Sequence, residues 1–115
     1  MEQLLTIAYA AFNGRAIPAA LKTMHADVVW PNGMEGGHVH GHDEVRAYWT
    51  RQWGIIAPRV DPVGFTTEAD GRIAVKVHQV VRDLAGKLLA DLFVEHVYRI
   101  EDGLIRDMKI RVPAG

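Results

Sequence analysis

The chain has 115 residues, 49% hydrophobic and 23% charged, with a net charge of −1 and no cysteine. That length supports one domain with one core, residues 1–115. The balanced charge argues against a nucleic-acid surface, the lack of any run of about 18 apolar residues argues against a membrane helix, and the missing thiols exclude disulfides and cysteine chemistry. The first residues, Met1-Glu2-Gln3-Leu4, carry no basic start or apolar block, so a cytoplasmic protein is expected.

Leu4, Leu5, Ala8 and Phe12 recur at helical spacing and predict a first helix, stopped at Asn13-Gly14. Pro18 suits the first turn of a short second helix that buries Leu21 and Met24. Asp27 to Pro31 reads as a short strand, followed by a Gly- and His-rich loop, Gly33 to Gly41. Asp43 and Glu44 open a third helix, where negative charge is favourable. Its apolar stripe is Val45, Tyr48, Trp49, Gln52, Trp53 and Ile56, and Pro58 ends it. Four alternating runs follow, about 59–69, 72–83, 87–101 and 104–112, joined at Asp70-Gly71, Ala85-Gly86 and Asp102-Gly103.

With Ala85-Gly86 as a two-residue loop, Lys76 faces Glu95 and His78 faces Phe93 on one side of the sheet. Ile73 then meets Tyr98, Val75 meets His96 and Val77 meets Val94 on the other, nearly all apolar side, which the helices should cover. His96 therefore points inward and His78 outward. A two-residue turn at Asp102-Gly103 would aim Asp107 and Lys109 inward. A three-residue loop, Glu101 to Gly103, instead aims Leu104, Met108, Ile110 and Val112 inward, sets Lys109 opposite Glu95 and leaves Arg106 facing in near the rim. The second is preferred, because it buries the apolar set.

Helix, short helix, a strand ending at Pro31, the segment Gly41-His42-Asp43-Glu44-Val45-Arg46-Ala47-Tyr48-Trp49 and the meander with Asp102-Gly103-Leu104-Ile105 resemble the nuclear transport factor 2-like superfamily. Within it the chain is most similar to the SnoaL-like and ketosteroid isomerase-like branch, along essentially its whole length. The resemblance implies an α+β fold: a cone-shaped, strongly curved antiparallel sheet packed against three N-terminal helices, with a pocket between them and commonly a dimer. Family members include isomerases, polyketide cyclases, epoxide hydrolases, dehydratases and non-catalytic subunits, and one fold hosts many functions.

Position by position, the isomerase general base falls on Trp30, beside Asn32, and its protonated Asp falls on His96. The helix-one Tyr falls on Ala8, next to Tyr9, and the third-helix Tyr falls on Trp49, next to Tyr48. The pocket Met is matched by Met108. The resemblance thus implies a retained pocket without the steroid-isomerase chemistry.

His96 is the candidate acid, base or oxyanion donor, since an imidazole titrates near neutrality. Tyr9 and Tyr98 are its expected hydrogen-bond supports. Trp30, Tyr48, Trp49, Val75, Val94, Arg106 and Met108 complete the expected pocket, which would take a small apolar ligand with a polar group. Glu35, on the loop, is a possible second group. His38 and His40, on one side of an extended segment, have the spacing of a metal clamp, with His42, Asp43 or Glu44 nearby. A solvated connection before a helix explains them as well, so no metal and no cofactor are expected.

On the outer face Ala74, Phe93 and Val97 alternate with Lys76, Glu95 and Arg99, which points to a homodimer through that face. Two functions stay open. One is a cofactor-independent isomerase, cyclase or dehydratase using proton transfer. The other is a non-catalytic ligand- or protein-binding module.

Overall fold

The computed structural model describes residues 1–112. The elements in order are α1 (Glu2–Asn13), α2 (Ile17–Leu21), β1 (Met24–Pro31), β2 (His38–His40), α3 (Gly41–Trp53), β3 (Ile56–Thr67), β4 (Ile73–Asp83), β5 (Leu88–Glu101) and β6 (Leu104–Arg111). One six-stranded sheet runs β2-β1-β6-β5-β4-β3, antiparallel except that β1 lies parallel to β6. The chain is an α+β cone: the sheet curls, and the helices fill its concave side around a core that includes Leu5, Leu21, Val28, Val45, Trp49, Val75, Val77 and Ile105.

Edge chemistry places β3 at the end of the sheet. Pro58 and Pro62 cannot donate to a ladder, and both sit inside β3, where one side is unpaired. Pro58 therefore lies within a strand and does not terminate α3. The helix ends at Gly54, and Ile56, expected on its stripe, opens β3. The free side of β3 is used by α1. The Asn13 side chain donates to Val60 O at 2.8 Å and accepts from Val60 N at 2.9 Å, and Arg15 donates to Pro58 O at 2.7 Å. These bonds clamp the end of α1 to the sheet.

Three further expectations change. Met24 opens β1 instead of closing α2. The segment His38–His40 is a short strand paired with β1, Trp30 opposite Val39, where a loop was expected. His40 caps α3, and Glu44 reaches back to accept from its backbone N–H at 2.8 Å.

The β4–β5 register is as read from sequence: Ile73 opposite Tyr98, Val75 opposite His96, Lys76 opposite Glu95, Val77 opposite Val94 and His78 opposite Phe93. The turns that produce it differ. The loop after β4 has three residues, Leu84 to Gly86, closed by Gly86 N–H to Asp83 O and Asp83 N–H to Lys87 O, with Gly86 at φ 93°. An extra residue at Leu89, between the Val81–Ala90 and Arg82–Leu88 pairs, restores the register. The last hairpin reverses this. Its turn has the two residues Asp102 and Gly103, at φ 55° and 75°, where three were preferred. Ile100 pairs with Ile105 but Arg99 with Asp107, so Arg106 is the extra residue.

That bulge turns the strand over once. Ile105 and Met108 are both buried, Leu104 is half-buried, Ile110 faces inward and lines the concave cavity although it is partly exposed, and Val112 is exposed rather than inward. Arg111, not Lys109, sits opposite Glu95, while Lys109 faces Val97. Asp107 points outward and pairs with Arg99 at 2.7 Å. The bulge makes a checkable asymmetry. Ile105→Ala should cost about 2–4 kcal/mol of folding stability, as for a buried aliphatic side chain, and Leu104→Ala about 1 kcal/mol or less. Urea unfolding of both variants measures it; equal losses would contradict the bulge at Arg106.

Candidate functional site

The concave face encloses a cavity of about 200 Å³ between the helices and β3–β6. At its floor three polar side chains form a chain. Tyr98 on β5 donates to the Tyr9 hydroxyl on α1 at 2.8 Å. That hydroxyl lies 2.7 Å from Nδ1 of His96, with the two rings parallel to within 10°. Tyr9 gives its own proton to His96 Nδ1 or accepts one from it, according to the imidazole tautomer, since a hydroxyl oxygen accepts twice. With Tyr9 as the donor, the neutral imidazole carries its proton on Nε2. Nε2 has no protein partner among the described residues, and the sealed, unpartnered polar side-chain atoms are Gln52 Oε1 and Trp53 Nε1 instead. Nε2 is therefore a free ring nitrogen at the cavity that His96 lines.

Burial sets the charge state. His96 is 6% exposed, and desolvation of its charged form lowers its pKa from 6.5 to about 4. Desolvation also pushes both phenols well above the ordinary tyrosine value. The floor is neutral throughout the physiological range.

The walls are aromatic and apolar. Trp30 meets Trp49 edge-on at 5.8 Å and tilts against Tyr98 at 6.4 Å, and Phe12 meets Trp49 at 5.6 Å. Tyr48 closes the mouth: its hydroxyl accepts from Gly33 N–H at 3.1 Å and lies 3.2 Å from Gln52 Nε2. Among the described residues no Asp, Glu, Lys or Arg lines the cavity.

Of the residues proposed from sequence, His96, Tyr9, Trp30, Tyr48, Trp49, Tyr98 and Met108 come together at this cavity. Val75, Val94 and Arg106 do not. Val75 is sealed in the core beneath the floor, and Val94 packs against that core without reaching the space. Arg106, displaced by the bulge, donates to Asp27 O and lies 3.8 Å from Glu101, beside a separate shallow depression with His40. Glu35 is fully exposed and held by Asn32 and Arg51, each at 2.9 Å, which keeps its carboxyl below the usual range. Met24, Met34, Ile56 and Gln79 line the cavity without having been singled out. Gln79 was legible by alternation with Val75 and Val77; Met34, in a loop, carried no signal.

The ring nitrogens of His38, His40 and His42 do not gather with a carboxylate, and His42 Nε2 is bonded to Met24 O at 3.0 Å. Among the described residues the cluster with metal-ligand proximity is His25, Glu101 and Asp102. There Nδ1 of His25 accepts from Asp27 N–H at 3.0 Å, so the neutral ring turns a protonated Nε2, not a lone pair, toward the carboxylates.

A family model described as a SnoaL-like domain matches residues 6–108. The chain belongs to the SnoaL-like domain family. This SnoaL-like chain is similar to an NTF2-like protein of unknown function from Burkholderia pseudomallei, with 33% identity, 97% of this chain and 89% of that one covered, and a TM-score of 0.83. It is also similar to TerC co-crystallised with polyporic acid, with 28% identity, coverage of 96% and 89%, and a TM-score of 0.83. A Mycobacterium tuberculosis protein in complex with estradiol-17beta-hemisuccinate shares the fold at 17% identity, coverage of 93% and 88%, and a TM-score of 0.79. No curated protein matches the chain.

The buried imidazole gives stability a pH dependence. Unfolded, His96 titrates near 6.5; folded, near 4, so the unfolded chain binds more protons between these values. Stability should be complete above about pH 6.5 and fall as pH drops toward 4, by about 3 kcal/mol from this group alone. Thermal unfolding from pH 7 to 4, compared with His96→Phe, measures the contribution; equal slopes for the two proteins would refute it.

Proposed function

We propose that this protein binds a small, largely apolar molecule in the cone cavity and anchors that molecule's polar group at Nε2–H of His96. The observation that carries this reading is a buried imidazole nitrogen without a protein partner at the floor of a largely apolar cavity. Similarity to TerC, itself co-crystallised with polyporic acid, supports small-molecule binding.

The lining favours binding and polarisation over proton abstraction. It holds no carboxylate or amine to serve as a base, and with Tyr9 donating to Nδ1 His96 turns a proton rather than a lone pair to the cavity. Nor is the tyrosine chain a good proton source. Passing a proton out through His96 would leave a buried tyrosinate, which the raised phenol pKa values oppose. A second, catalytic reading rests on the same donor: it would stabilise an oxyanion developing on a bound carbonyl, as an isomerase, cyclase or dehydratase requires.

Quenching of the wall tryptophans by a panel of apolar ketones tests the binding reading. His96→Phe should weaken binding about five- to tenfold while keeping a cooperative melt. A panel that never quenches would overturn it. In D2O a bound ketone should show no accelerated exchange of its α-protons; accelerated exchange would instead establish proton-transfer catalysis.

The homodimer belongs to the same proposal, with its centre moved. Ala74 and Val97 are already buried within one chain, whereas Phe93 is 50% exposed under Lys76, and Leu88 and Leu89 are exposed further along the same strand. We place the contact there, toward the end of the β4–β5 hairpin. Light scattering at micromolar concentration should give twice the 12.8 kDa chain mass, and Phe93→Glu the single-chain mass. A single-chain mass for the unaltered protein would exclude the dimer.

A further inference from the structure

The cavity opens where its lining reaches solvent. Of the residues that line it, Gly33, Met34 and Ile110 are exposed, so the mouth lies between the end of β6 and the turn that joins β1 to β2. That turn, residues 32–37, is bonded largely to itself. Asn32 N–H donates to Gly37 O at 3.0 Å and Gly36 N–H to Asn32 O at 2.9 Å, closing its base. The Asn32 side-chain oxygen accepts from Glu35 N–H at 2.8 Å and from Met34 N–H at 3.2 Å, and its amide donates to Glu35 Oε1 at 2.9 Å. Such mutually supporting bonds make a small stiff body.

Two side chains of α3 hold this body over the mouth. Tyr48 accepts from Gly33 N–H at 3.1 Å, and Arg51 donates to Glu35 Oε1 at 2.9 Å. The Glu35 and Arg51 side chains are 58% and 50% exposed, so their ion pair is weak and screened by salt. The far limb of the turn has room to rotate. Gly36 and Gly37 lie at φ 85° and 73°, and a Cβ on either would meet no atom within 4 Å. Met34, which lines the cavity from this turn, is 37% exposed, so lifting it uncovers little apolar surface.

We propose that residues 32–37 form a flap that swings as a unit about its glycine limb, carries Met34 off the cavity mouth, and is latched shut by the Glu35–Arg51 ion pair. The proposal rests on the binding reading above and adds how the guest enters. Opening breaks the Tyr48 and Arg51 contacts together, while the bonds inside the turn survive. A loop without a hinge would instead fray bond by bond.

Amide hydrogen exchange followed by NMR tests the motion without any ligand. Arg51 makes no hydrogen bond to Gly33, yet a hinged flap releases the two together. Arg51→Met should therefore speed exchange at Gly33 N–H about two- to fourfold, the effect of losing an exposed ion pair. Asn32 and Gly36 N–H, bonded within the turn, should keep their rates. Raising salt from about 0.05 to 0.5 M should speed Gly33 exchange in the unaltered protein and leave Arg51→Met unmoved. An unchanged Gly33 rate in Arg51→Met would overturn the latch. Asn32 and Gly36 accelerating together with Gly33 would overturn the rigid flap in favour of local unfolding.

Entry is read by stopped-flow quenching of the wall tryptophans with 2-acetonaphthone, an uncharged ketone. The latch acts on the closed flap with or without a guest. Arg51→Met should therefore raise the association and dissociation rates by the same factor, about two- to fourfold, and leave Kd within about twofold. Faster dissociation alone would make Arg51 a binding contact and overturn the gate, as would rates equal to those of the unaltered protein. A ketone that never quenches overturns the binding reading and the gating with it, whereas hydrogen exchange decides the motion by itself.

Discussion

Nδ1 of His96 needs a donor, and much of the architecture follows from supplying one. An imidazole sealed in an apolar cone keeps its neutral form at low cost only if its inner nitrogen is bonded, because a buried unpaired acceptor costs about 1–3 kcal/mol. Neighbouring strands cannot provide that bond, since their polar backbone groups are spent in the ladder and the facing side chains are Val75 and Ile110. The donor has to come from across the cavity, and α1 brings it as Tyr9. One turn further along the same helix, Asn13 reaches the free side of β3 with two hydrogen bonds. Four residues apart, Tyr9 and Asn13 share a helix face. One face thus fixes the helix to both the floor and the edge of the sheet.

The cup itself is made by irregularities. Each antiparallel hairpin of the meander carries one extra residue: Val63 between β3 and β4, Leu89 between β4 and β5, and Arg106 between β5 and β6. A bulge adds length to one strand and increases local twist, so three bulges in succession curl the sheet instead of leaving it flat. The two prolines of β3 end that curl at an edge which α1, rather than a further strand, occupies. Concavity and closure therefore have separate causes, and both are local.

This division explains what could be read from sequence. The inner and outer faces of β4 and β5 were legible, because apolar alternation fixes the face on which each residue lies, whatever joins the strands. Turn lengths were not. The loops at Gly86 and Gly103 turned out to be three and two residues, the reverse of what was read, and a bulge compensated each time. A shift of two residues preserves the face, so Met108 still reached the cavity beside Tyr98, although Lys109 lost its place opposite Glu95. Arg106 was unreadable for the same reason: as the extra residue it obeys neither phase. Pro58 misled about Ile56, since a proline ends a helix or marks an edge strand with similar sequence surroundings.

The cavity's character turns on Trp30. The resemblance places a catalytic carboxylate at that point in the isomerases. An indole there removes the charge and, set edge-on to Trp49, also occupies space. The two effects reinforce each other. Among the described residues the lining is left without a carboxylate, and the second indole adds aromatic wall. His96, at the position of the family's protonated acid, keeps the capacity to donate to an oxygen and loses the ability to do so as a strong acid, because burial holds it neutral and the tyrosines behind it resist giving up their protons. Among the described residues the cavity thus combines aromatic walls with a neutral imidazole and no charged side chain.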